Sequence, residues 1–160
     1  MKKYFHFLSL IFVFSSCTED VKFNNPAFQT LKNNVFWRAQ NYKAYIETNG
    51  NLTVEGSLGF EKVVLQTVSP NQNTYILGID DENKASFSNS AAEQPTAFST
   101  DENLGNGQIV ITEFDVENNT VSGTFKFNAV NLDETNTENP KVSFSEGVFY
   151  KIPLSASQHF

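Results

Sequence analysis

The stretch TVSGTFKFNAV, Thr120–Val130, places Val121, Gly123, Phe125, Phe127 and Ala129 on one side and Thr120, Ser122, Thr124, Lys126 and Asn128 on the other. Alternation with a period of two marks an antiparallel strand with one face buried and the other in water. The preceding GQIVITEF and the turn residues DVENN make positions 107–130 a hairpin. Working outward, LTVEGSLGF repeats the pattern, with Leu52, Val54, Leu58 and Phe60 on one side and Gly56 where a bend or bulge is tolerated. Further strands are expected at Ala27–Leu31, Val35–Ala39, Tyr42–Thr48, Val63–Val68 and Thr74–Ile79. The last pair is Val142–Ser145 and Val148–Leu154, with Glu146-Gly147 supplying a tight turn or bulge between them. No window carries a competing helical period.

Turn signals recur every eight to twelve residues, and the chain length suits one domain with a real core. The fold class expected is all-β: a single antiparallel β-sandwich or partly open β-barrel over residues 27–156, with 157–160 as a tail. Sixteen phenylalanines, only four of them before residue 17, supply most of the area to be buried. Phe125, Phe127, Phe144 and Val148 are expected to fill the interior. From Asp80 to Asn106 the chain turns polar, with short strand-like pieces only around Phe87 and Phe98. So long an irregular segment is where a ligand site is expected. A second polar loop, DETNTENP, precedes the last strands.

The beginning of the chain has a different character. Lys2 and Lys3 precede an apolar run from Tyr4 to Phe14, the length of a signal-peptide core and short of the about 20 residues that span a bilayer. The run ends at Ser15, Ser16 and Cys17, the only cysteine, so no disulfide is available. Phe14-Ser15-Ser16-Cys17 resembles a bacterial lipobox, with Phe14 standing where leucine is usual. The resemblance implies a signal peptide over 1–16 and a diacylglycerol on the Cys17 sulfur. Residues 17–26 then form a polar tether, and Thr18-Glu19-Asp20 resembles the acidic signal that sends Bacteroidota lipoproteins to the outer face of the outer membrane. Two or more acyl chains suffice for stable anchoring.

The body is familiar as well. The order of NNPAFQTL, FWRA, LTVEGS, TYILG, GQIVITEFD, NNTVSGTFKFNA and VSFSEGVFYKIPL resembles a family of uncharacterised Bacteroidota lipoprotein domains of unknown function, common in flavobacteria. That resemblance implies the anchor and the all-β body, and no activity.

Composition excludes several functions. The net charge is −7 and becomes more negative once Lys2 and Lys3 leave with the leader. One arginine and scattered lysines make no basic face, so nucleic acid is not an expected partner. The two histidines, His6 and His159, lie in the leader and at the tail, which leaves no Ser-His-Asp triad, Cys-His pair or His-rich zinc site. No Gly-rich phosphate loop is present, and the residues call for no cofactor.

The remaining candidates are few. Asp80, Asp81, Glu82 and Asp101 are the places to look for calcium, although TDENLGNG fails the EF-hand template. Glu55 and Glu113, inside strands, are the carboxylates from which a glycoside hydrolase would be built. Trp37, Tyr42, Tyr45, Tyr75 and Tyr150 can stack on a sugar or peptide or fill the core. The expected function is a non-catalytic binding or structural module with a protein, glycan or envelope partner. The alternative is a lipocalin-like carrier of an apolar small molecule, which needs a cavity of roughly 300 Å³ or more.

Overall fold

The computed structural model describes residues 25–91 and 95–155. Cys17, most of the tether and both histidines lie outside these residues. Eleven strands and no helix make up the described chain: β1 Ala27–Lys32, β2 Val35–Arg38, β3 Asn41–Ile46, β4 Leu52–Leu58, β5 Glu61–Thr67, β6 Asn73–Leu77, β7 Lys84–Asn89, β8 Thr96–Ser99, β9 Asn106–Asp115, β10 Thr120–Asn131 and β11 Lys141–Pro153. All their pairings are antiparallel, and together they form one sheet.

The sheet curls into a half-barrel because β10 is long enough to serve two neighbours on one side. Its residues 120–128 pair with β9, whereas Val130 and Asn131 pair with β8. One half therefore reads β2-β1-β11-β10-β9-β6 and the other β8-β7-β5-β4-β3. At the opposite corner Ala44 of β3 bridges Leu154, and Ser155 N–H donates to the Ala44 carbonyl at 2.7 Å. Inside the curl the rings meet: Phe127–Phe144 centroids lie 4.6 Å apart and Phe28–Phe125 5.1 Å within one half, and Phe87–Phe144 5.4 Å across the two. All five residues expected inward from Thr120–Val130 are buried, so the hairpin and its phase stand as read.

Two glycines mark where packing leaves no room for a side chain, Gly123 within one half and Gly56 between the two. A Cβ on Gly123 would lie 2.2 Å from the Val110 carbonyl oxygen and 2.3 Å from the Phe149 ring. At Gly56 it would lie 2.7 Å from the ring of Phe28, which is itself fully buried. Gly56 therefore makes room for a ring, and β4 runs past it without a bulge.

Other expectations are corrected. Val142–Ser145 and Val148–Leu154 are one strand, β11, broken by a bulge at Glu146 (φ 52°). The extra residue shifts the inward phase, so Phe149 is buried and Val148 turns away. A second left-handed residue, Lys151 (φ 47°), shifts the phase again and sends Ile152 inward. Phe60, expected beside Leu52 and Val54, is 69% exposed in the two-residue turn that Gly59 (φ 57°) makes between Leu58 and Glu61. Ile79 lies beyond the end of β6 and is exposed. Much of the Asp80–Asn106 segment is strand: β7 and β8 sit mid-sheet, with Ala85, Phe87 and Phe98 buried. The outward Ser86, Ser88 and Ser99 give this stretch its loop-like composition.

Candidate functional site

Two of the aromatic candidates sit on the edge strand β3, on opposite faces, Tyr42 packing against the core. Lys43 and Tyr45 point outward from it, and Glu55 of β4 lies opposite Lys43 in the register. Lys62 comes from β5, one strand further. The Glu55 carboxylate accepts from Tyr45 Oη at 3.0 Å and from Lys62 Nζ at 3.0 Å, with Lys43 Nζ at 3.5 Å. Burial by itself pushes the Glu55 carboxyl up. The Lys62 and Tyr45 hydrogen bonds, with the charges of Lys62 and Lys43, outweigh it and hold the group below its ordinary range. Tyr45 moves the other way, raised first by burial and then by its bond to the Glu55 anion. Asn41, Tyr42, Lys43, Glu55, Gly56, Ser57 and Lys62 line a shallow groove of about 260 Å³ here.

This groove is shallow and open, and Glu55 in it is flanked by two lysines. A carboxyl kept ionised by two lysines does not offer a proton at neutral pH, which is what the acid of a glycosidase must do. Glu113, the other strand carboxylate, sits on β9 and accepts from Ser122 Oγ at 3.3 Å.

The remaining aromatic candidates serve the fold. Trp37 is 3% exposed, packs edge-on to Phe28 at 6.0 Å, and donates its indole N–H to Glu61 Oε2 at 2.6 Å. Glu61 also holds Lys32, whose ammonium lies 5.0 Å from the centre of the Phe87 ring. Together these contacts latch the β1–β2 hairpin onto the other half of the barrel. Tyr75 is buried with its hydroxyl donating to the Asn71 carbonyl at 2.8 Å. Tyr150 carries the Lys151 ammonium 5.5 Å from its ring centre.

The calcium candidates are engaged in turn chemistry. Asp80 Oδ1 accepts from the N–H groups of Glu82 and Asn83 at 3.1 and 3.3 Å. Asp101 accepts from the Glu102 N–H at 2.9 Å and from Lys84 Nζ at 3.1 Å, and these two contacts, the backbone one first, lower its pKa. Among the described residues no three Asp, Glu, His or Cys side chains gather as a metal site. A polar depression of about 600 Å³ lies over the second polar loop instead, lined by Pro95, Thr96, Asp133 and residues 135–139. Composition alone could not anticipate it, because it arises where the 132–140 loop folds back beside the start of β8.

One feature escaped sequence reading: where the exposed apolar side chains lie. Ala27 enters the sheet opposite Tyr150, at the end that also holds the 115–120 turn and Leu154. Val35 (66% exposed) and Phe36 (64%) follow the 33–34 turn at the other end. Phe60 joins them through its neighbour Glu61, which is bonded to Lys32 and Trp37. No helix among the described residues is long and apolar enough to cross a membrane, which says nothing of strands.

The geometry so far defines an all-β half-barrel with a ring-filled interior and open, shallow surface grooves. The chain belongs to the family described as Domain of unknown function (DUF6252), whose model matches residues 24–153, almost the whole of the described fold. No curated protein and no solved structure matches it.

Proposed function

We propose that the protein is an exported lipoprotein of the Bacteroidota type, anchored in the outer membrane through Cys17 and acting as a non-catalytic binding or structural module. The observation that carries this reading is the polarity of the fold. The chain enters beside the 115–120 turn, directly after the expected tether, where Val116 is exposed, and presents Val35 and Phe36 at the opposite end, with Phe60 beside them from the β4–β5 turn of the other half. A domain held by its N-terminal end would thus keep Val116 toward the bilayer and turn Val35, Phe36 and Phe60 away from it, where they can meet a partner. The carrier alternative is disfavoured by an interior occupied by touching phenylalanine rings. A carboxylate hydrolase is disfavoured by the neutralisation of Glu55.

Cell fractionation tests the anchor. Wild type is expected in the outer-membrane fraction, released by detergent and not by high salt. Cys17→Ser is expected to remain unacylated and to lose that association. Equal membrane association of the two would refute the reading.

A further inference from the structure

We infer that the open edge of β2 is a strand-addition surface for an extended segment of another polypeptide, one carrying a carboxylate and, two residues later, an apolar side chain. The inference deepens the binding-module reading and rests on it. Asn33 and Asn34 both have left-handed backbones (φ 48° and 64°) between Lys32 and Val35, as a two-residue hairpin turn requires. The pair closing such a turn exchanges both backbone bonds, so Val35 and Trp37 turn their N–H and C=O groups toward β1. The bond from Ala39 N–H to the Phe28 carbonyl, 2.9 Å, continues that parity. Phe36 and Arg38 therefore turn theirs to the open side, and among the described residues β2 pairs with no strand but β1.

Edge strands are ordinarily blunted by charge, proline, bulges or cover. At the edge strand β3 this is achieved by Lys43 and the Leu154 bridge. On the four-residue β2 the one such device is the exposed charge of Arg38, and the exposed Val35 and Phe36 beside it are apolar. The outer face of β2 carries Phe36 and Arg38, opposite Leu31 and Gln29 of β1. Arg38 is the only arginine of an acidic chain, and its one bond is to the neutral Gln29 Oε1 at 3.0 Å. Among the described residues no carboxylate pairs with it. An incoming antiparallel strand would set one residue against Arg38 and the residue two further along against Phe36. Complementarity makes the first acidic and the second apolar. The residue between them would face inward, toward Trp37 and the exposed Phe60.

The test is a titration of the full chain with the peptide Thr-Thr-Glu-Val-Val-Thr-Thr, followed by backbone amide shifts. The expected result is shifts confined to β2 and β1, with affinity falling roughly tenfold in Arg38→Glu, the exchange of an attractive for a repulsive charge pair. The same variant should prefer Thr-Thr-Lys-Val-Val-Thr-Thr, a gain that misfolding cannot produce, and Phe36→Lys should bind neither peptide. Silence at β2 up to millimolar peptide, binding indifferent to the charge swap, or β2 shifts that depend on protein concentration without peptide would each overturn the proposal; the last would identify a second copy as the occupant. None of these outcomes bears on acylation of Cys17, so the anchored reading stands or falls separately.

Discussion

At Gly123 a single hydrogen atom decides whether β10 can lie between β9 and β11 with the Phe149 ring over it. Its space is shared by the Val110 carbonyl and the Phe149 ring, both fixed by the sheet, so Gly123→Ala forces backbone movement. The expected cost is about 2–3 kcal/mol, at the upper end of overpacking penalties, measured as a lowered urea midpoint. Thr124→Ala, outward and exposed on the same strand, should change little. The charge cluster around Glu55 makes a second prediction at this scale. Because the folded-state pKa is depressed, its stabilisation is fully present above the ordinary carboxyl value of 4.5 and is lost as pH falls through the lower folded value. Glu55→Gln should therefore be less stable than wild type by about 1 kcal/mol at pH 6–7. That gap should shrink as the pH drops below 4.5. A gap that widens on acidification would contradict the assignment of the carboxylate as the stabilising form.

Among the elements, β11 shows what a sequence can and cannot convey. Its apolar residues mark it as strand, and Glu146-Gly147 flags an irregularity, but the direction in which phase resumes depends on a left-handed Glu146 that only the partner strands impose. The register predicts Phe149→Ala to cost about 3–5 kcal/mol and Val148→Thr under about 1 kcal/mol, as their denaturation midpoints would show. The reverse ranking would mean the bulge is misplaced. The long hairpin β9–β10 was legible because its alternation is uninterrupted on the β10 side. By contrast β7 and β8 showed only as short strand-like pieces around Phe87 and Phe98, because outward serines give the stretch the composition of a loop and its place in mid-sheet comes from its partners. Trp37 was ambiguous for a different reason: an indole followed by arginine suits a surface platform equally well. What settles it is Glu61, 24 residues away, accepting the indole N–H. Trp37→Phe keeps the ring packing and removes that donor, so it should cost about 1.5 kcal/mol in chemical denaturation followed by circular dichroism.

For the whole molecule, the fold class was readable and the site only partly so. Of the residues singled out, Tyr45 and Glu55 meet across β3 and β4, while Trp37 and Tyr75 belong to the core, Tyr42 packs against it, and the acidic candidates belong to separate turns. Spacing along the chain could not reveal this, since the grouping depends on which strands become neighbours. The filled interior predicts that protein extracted gently from membranes shows no bound apolar metabolite by native mass spectrometry beyond lipid removable with detergent. A stoichiometric small molecule surviving that wash would revive the carrier alternative. The exposed apolar side chains at the end remote from residue 27 gain functional meaning only if the chain is held at its start. The intact mass of the protein extracted from its native membrane tests this most directly. The account predicts a polypeptide beginning at Cys17 and bearing two or more acyl chains, whereas a free Cys17 thiol, or a chain retaining residues 1–16, would contradict it.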